Sequence, residues 1–115
     1  MAQTREPSAE LVEALMPCVK RGCGITWSDE NTDAEVADKI ESAWAWLEDK
    51  LGAMGDEAYL VPGNRRTLLK ERVRYDRAGA LDVWANNYRD MILAEQHKIR
   101  IDRRVADNAR AQESV

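Results

Sequence analysis

Thr32 to Gly52 reads TDAEVADKIESAWAWLEDKLG, and the fold turns on this stretch. Val36, Ile40, Ala43, Trp44, Leu47 and Leu51 recur at three- and four-residue intervals, which lines apolar side chains along one stripe of a helix. Thr32 and Glu35 have capping-box spacing: the Thr32 hydroxyl accepts from the backbone near Glu35, whose carboxylate reaches back. The acidic first turn suits the positive end of the helix dipole, and Gly52 marks the stop. A helix with one apolar stripe needs partners to cover it.

Upstream, Ser8 is placed to cap a helix carrying Leu11, Val12, Leu15, Met16 and Val19. Pro17 inside that pattern predicts a short or kinked helix, and Gly22 and Gly24 end it. Ile25-Thr26-Trp27 and a polar turn from Ser28 to Asn31 lead into the central helix, with Trp27 either a lid on the core or a contact. Downstream, residues 52–63 read as a loop holding the apolar patch Tyr59-Leu60-Val61. Asn64 is placed to cap a helix with Leu68, Leu69 and Val73 inward and Arg65, Arg66, Lys70, Arg72 and Arg74 largely outward. Gly79 is its stop or a weak point, and Asp82 can cap a last helix whose inner face is Leu81, Trp84, Tyr88, Met91, Ile92 and Ala94. His97 to Asp102 alternates polar and apolar, a weak strand signal.

The expectation is an all-α fold, a small bundle of three to four helices with extended arms at both ends. Residues 1–7 form a flexible lead, 8–96 the helical domain and 97–115 a polar C-terminal arm. The expected core is Ile40, Trp44, Leu47, Leu69, Val73, Leu81, Trp84 and Tyr88. Trp46 lies two residues from Trp44 and cannot share its face, so it becomes an interface candidate.

The chain is one domain long at 115 residues, and no apolar run approaches the roughly 20 residues of a membrane span. The polar N-terminus has no signal-type apolar segment, which predicts a protein kept in a cytoplasm. Cys18 and Cys23, four residues apart, fit neither a zinc ribbon nor a redox pair and read as two half-buried thiols. Net charge is −4, divided unevenly: residues 1–63 carry 5 basic and 13 acidic side chains, residues 64–115 carry 12 and 8. Such polarity favours head-to-tail association of like subunits.

Material for catalysis is poor. His97, the only histidine, sits among Gln96, Lys98 and Arg100. The run Asp29 to Asp33 lacks the glycine and distal glutamate of a calcium loop, and neither a phosphate loop nor a nucleophile motif is present. These features point away from an enzyme, a metal or a cofactor. Between Asn64 and Arg77, six basic residues stand against two acidic ones with Tyr75 among them, which allows a small DNA-binding protein of terminase-small-subunit or regulatory type. The pI near 5.1 weighs against that alternative, as does the long 52–63 connection, which does not fit a helix-turn-helix.

The order Leu68-Leu69, Val73, Arg74-Tyr75, Arg77, Ala80-Leu81, Trp84, Asn87-Tyr88 resembles the C-terminal half of phage head–tail connector (adaptor) proteins. The likeness extends over roughly residues 9–96, with Trp84 where phenylalanine is usual and Gly79 where a polar residue such as asparagine is common. The resemblance implies a structural virion protein of the phage neck, assembled in the host cytoplasm as a homo-oligomeric ring of about twelve copies. Such a ring docks beneath the portal protein, meets the next neck or tail-completion protein and lets the genome DNA pass without sequence-specific binding. The arm 97–115 is then the portal-binding element, and the acidic first half suits a channel wall. Subunit or portal contacts are expected from Trp46, Arg65, Arg66, Arg72, Arg74, Arg77, Ile99, Ile101, Arg103 and Arg104.

Overall fold

The computed structural model describes residues 6–113, with side chains through residue 110. Residues 1–5 of the expected lead and 114–115 of the expected arm lie outside the described residues. Among the described residues there are six helices and no strand: α1 (Ala9–Gly22), α2 (Glu30–Leu51), α3 (Glu57–Leu60), α4 (Asn64–Arg77), α5 (Leu81–Asn87) and α6 (Arg89–Glu113). No helix among them is long and apolar enough to cross a membrane.

The α2 stripe forms the spine of the core. Val36, Ile40, Ala43, Trp44, Leu47 and Leu51 are all buried, together with Leu11, Leu15 and Val19 of α1 and Leu68, Leu69 and Val73 of α4. Each of these three helices touches the other two. Ser8 caps α1 as expected, its hydroxyl accepting from the Leu11 amide at 3.1 Å. Pro17 neither shortens nor ends α1, which continues to Gly22. Proline costs a helix the amide that would bond to the carbonyl four residues back. Here Glu13 and Pro17 both lie on the exposed side of the helix, away from the core.

The caps of two helices differ from the expected ones. Asp29, not Thr32, caps α2: its carboxylate accepts from the Thr32 amide and hydroxyl, both at 3.0 Å, so the helix starts at Glu30. Aspartate is as good a cap as threonine and adds charge at the dipole's positive end. Gly63 occupies the cap of α4 with no side-chain bond, and Asn64 is the first helical residue. Asp82 lies inside α5, which opens at Ala80. The glycine stops hold: Gly52 at φ 95° ends α2, and Gly79 at φ 68° separates α4 from α5.

The segment read as a loop contains α3, which buries Tyr59 while Leu60 and Val61 remain exposed. The expected last helix is interrupted at Tyr88 and then runs much farther, as α6. The weak strand signal at 97–102 is overturned, because those residues are helical. Ile99 points into the body at 8% exposure and Ile101 away from it at 47%. Residues two apart share a face on a strand but diverge by about 200° on a helix, so the opposite burial of Ile99 and Ile101 is what a helix gives and a strand would not. Leu81, expected in the core, is half-buried, as is Tyr88.

Candidate functional site

The residues of the family-like motif converge on one corner, where α4 and α5 meet the start of α6. Trp84 is fully buried, its ring 5.1 Å from that of Trp46 in an edge-to-face arrangement. Tyr75 and Tyr88 meet edge to face at 6.2 Å, and the Asn87 amide donates to the Tyr75 hydroxyl at 3.2 Å. The Arg72 guanidinium lies 4.8 Å from the ring centroids of both Trp46 and Trp84. Desolvation lowers the Arg72 pKa, partly offset by the Asp76 carboxylate. A cation on aromatic faces exchanges water for the rings' negative quadrupole, which holds it in place. Burial likewise raises the Tyr88 hydroxyl.

The arginines of α4 are engaged within the chain. Arg65, expected outside, is buried: its Nη1 pairs with Glu48 at 2.7 Å and donates to the Gly52 carbonyl and the Tyr59 hydroxyl, both at 3.0 Å. It is withdrawn as an interface residue, because a guanidinium 4% exposed cannot meet a partner. Arg74 pairs with Glu71 at 2.6 Å and Arg77 with Glu35 at 3.3 Å. Arg66 is half-buried. Trp46 is half-buried too, one turn on from Ala43 and directed at α4 and α5, so its off-stripe position still reaches the interior.

Near Cys23 and Gly24, Arg74 and Arg77 border a surface depression where the ends of α1 and α4 meet. Burial pushes the Cys23 thiol up, with Arg77 pulling the other way. Both cysteines are free and half-buried, as the sequence predicts. Among the described residues, no group of three His, Cys, Asp or Glu side chains is arranged to hold a metal.

The remaining candidates belong to α6. Ile99 is buried against the end of α2 and is withdrawn as an interface residue. The Arg103 guanidinium lies over Gly52, where an added Cβ would stand 2.7 Å from its Nη2. Ile101 and Arg104 are exposed, as is every residue from Arg100 to Arg110. Residues 100–113 therefore form a helical arm about 21 Å long at 1.5 Å per residue. The molecule is correspondingly elongated, 58 × 33 × 29 Å.

Sequence reasoning missed Glu48 and Tyr59 as partners of Arg65. Comparison with protein-family models, curated proteins and solved structures finds no match to this chain.

Proposed function

We propose that this chain is a structural subunit of a phage neck, a head–tail connector that forms a ring of about twelve copies beneath the portal. The observation that carries the reading is the α6 arm, a helix that leaves its own bundle and whose residues from Arg100 to Arg110 are all exposed. Isolated helices of this length are marginal in water, so a protruding arm is stabilised by what it docks against. Portal protein and neighbouring subunits are the partners that the sequence resemblance supplies. The motif behind that resemblance supports the reading as well. Its residues stack Trp84, Tyr75 and Tyr88 into the corner from which α6 departs, so they fix the direction of the arm.

The DNA-binding alternative rests on the basic helix, and the α4 side chains count against it. Arg65 is buried, Arg72 is stacked on two tryptophans, and Arg74 and Arg77 are paired with carboxylates. Phosphate binding would have to break those interactions first.

Native mass spectrometry over a concentration series, with and without a short duplex, tests the proposal. The expected result is a large closed oligomer indifferent to DNA. A small oligomer that gains the mass of the duplex would replace this reading with the DNA-binding one.

A further inference from the structure

The arm carries a second apolar stripe that its own body does not use. Ile92 and Ile99 face the bundle, whereas Ile101 and Val105, one turn apart, lie on the opposite side of α6 and are 47% and 63% exposed. Lys98 and Arg104 flank this outer stripe on either side. Lys98 and Arg104 make the edges of the outer face basic around an apolar middle, while Arg103 turns to Gly52 and Arg110 pairs with Asp107 at 3.9 Å. A surface helix with apolar stripes on two opposite faces is built for two partners.

A complementary surface lies at the other end of the sequence. Met16, Pro17, Ile25 and Trp27 line an open cleft of about 430 Å³ between α1 and the turn leading into α2. Trp27 stands beside it half-exposed at 51%, its indole N–H donating to the Thr32 hydroxyl at 3.4 Å. The border is acidic. Glu13 and Asp33 line it, Glu10 lies one turn before Glu13, and Asp29 and Glu30 follow Ser28 directly. Its one lysine, Lys20, is taken up by Asp33 at 2.8 Å. An aromatic side chain in an apolar cleft with a charged rim has the composition of an anchoring site for an amphipathic helix. The arm cannot fill its own cleft, since α6 packs on α2, α4 and α5 and makes no contact with α1.

We infer that the outer face of the α6 arm of one copy docks into the Trp27 cleft of the next, with Ile101 and Val105 in the cleft and the arm's basic edges along its acidic rim. Donor and acceptor are different surfaces of the same chain, so the contact is heterologous. Repeated, it either closes into a ring or runs on as a filament. The inference deepens the ring reading above and rests on it for closure.

Two full-length variants test it. Ile101→Asp with Val105→Asp disables the arm, and Trp27→Ala with Glu13→Lys disables the cleft. All four positions are exposed, and unchanged circular dichroism and melting temperature verify that each variant folds. In sedimentation velocity and native mass spectrometry, each variant alone is expected to lose the oligomer at concentrations where the unaltered chain is assembled. Mixed in equal amounts they are expected to give a one-to-one heterodimer and nothing larger, because one intact arm and one intact cleft remain between them. Variants that assemble as well as the unaltered chain would overturn the docking and leave the ring standing. A filament or pair, abolished by both variants and restored as a heterodimer on mixing, would uphold the docking and remove the ring. A mixture that stays monomeric overturns the docking.

Discussion

Glu48 is a carboxylate withdrawn from water, and three donors converge on it: the Met54 amide at 3.1 Å, the Tyr59 hydroxyl at 2.9 Å and Arg65 Nη1 at 2.7 Å. A buried charge is tolerated only when it is paired and its lone pairs are filled. Arg65→Met removes the compensating charge while keeping most of the volume, and a loss of about 3–5 kcal/mol is expected in urea unfolding; a loss under about 1 kcal/mol would mean that Glu48 recovers water. Tyr59 adds a pH dependence. Desolvation pushes its hydroxyl well above the ordinary tyrosine range, Arg65 pulls the other way, and the hydrogen bond to Glu48 pushes up again. The unfolded chain releases this proton near pH 10 while the folded chain keeps it, so above about pH 10 the unfolded state binds fewer protons and stability falls as pH rises. Tyr59→Phe removes that contribution. The stability advantage of the unaltered protein over Tyr59→Phe should therefore shrink between about pH 9 and pH 11, and a constant difference would show that burial does not hold the proton. None of this network was legible in the sequence. Arg65 and Glu48 are 17 residues apart on different helices, and a basic run without its partner looks like a solvated face. Trp84 was legible, because its place on an apolar stripe needs no partner to be read. Trp84→Ala should cost about 3–5 kcal/mol, as expected for an aromatic ring removed from a packed core; a loss below about 1 kcal/mol would contradict its burial.

At the scale of helices, periodicity identified α2 and its buried stripe because one face alone meets the core. It failed at α6, where both faces carry isoleucine. Ile99 serves the body and Ile101 lies on the opposite face, and no single stripe describes such a helix. Helix ends were half legible. Glycine stops were readable since a positive φ favours that residue, whereas the Asp29 cap competes in sequence with an equally plausible Thr32. Gly52 does more than stop α2. Its φ of 95° lies where side chains are strained, and the Arg103 guanidinium occupies the space a Cβ would take. Gly52→Ala therefore meets backbone strain, with an expected cost of about 1–3 kcal/mol in urea unfolding, and displaces the end of the Arg103 side chain. Gly79, at φ 68° with open space around it, separates these effects. Gly79→Ala carries the conformational cost alone, about 1 kcal/mol. Similar losses at the two sites are expected, because the end of the exposed Arg103 side chain can swing aside; a clearly larger loss at Gly52 would show that Arg103 is held in place over it.

Across the whole molecule, charge is sorted by sequence half: a balance of −8 over residues 1–63 and +4 over residues 64–115. Folding removes some of this charge from play. Glu48–Arg65, Lys39–Asp76 and Glu35–Arg77 each join the two halves inside one copy. What stays exposed keeps the same bias, with Glu10, Glu13, Asp29, Glu30, Asp38, Glu41 and Asp49 against Arg21 and Lys50 on α1, α2 and the turn between them, and Lys98, Arg100, Arg103, Arg104 and Arg110 against Asp102 and Asp107 on the arm. Exposed charges of this kind act over the Debye length, about 8 Å at physiological ionic strength, and govern encounter more than residence. The apolar contact of Ile101 and Val105 with the Trp27 cleft would govern residence. These two contributions respond differently to salt. Raising sodium chloride from about 50 mM to about 500 mM should slow assembly by at least about tenfold and leave dissociation on dilution nearly unchanged. Stopped-flow light scattering for association and a dilution time course for dissociation read the two rates separately. Salt that accelerates dissociation and spares association would place the arginines in tight ion pairs within the interface, with the long-range polarity of the chain contributing nothing to its assembly.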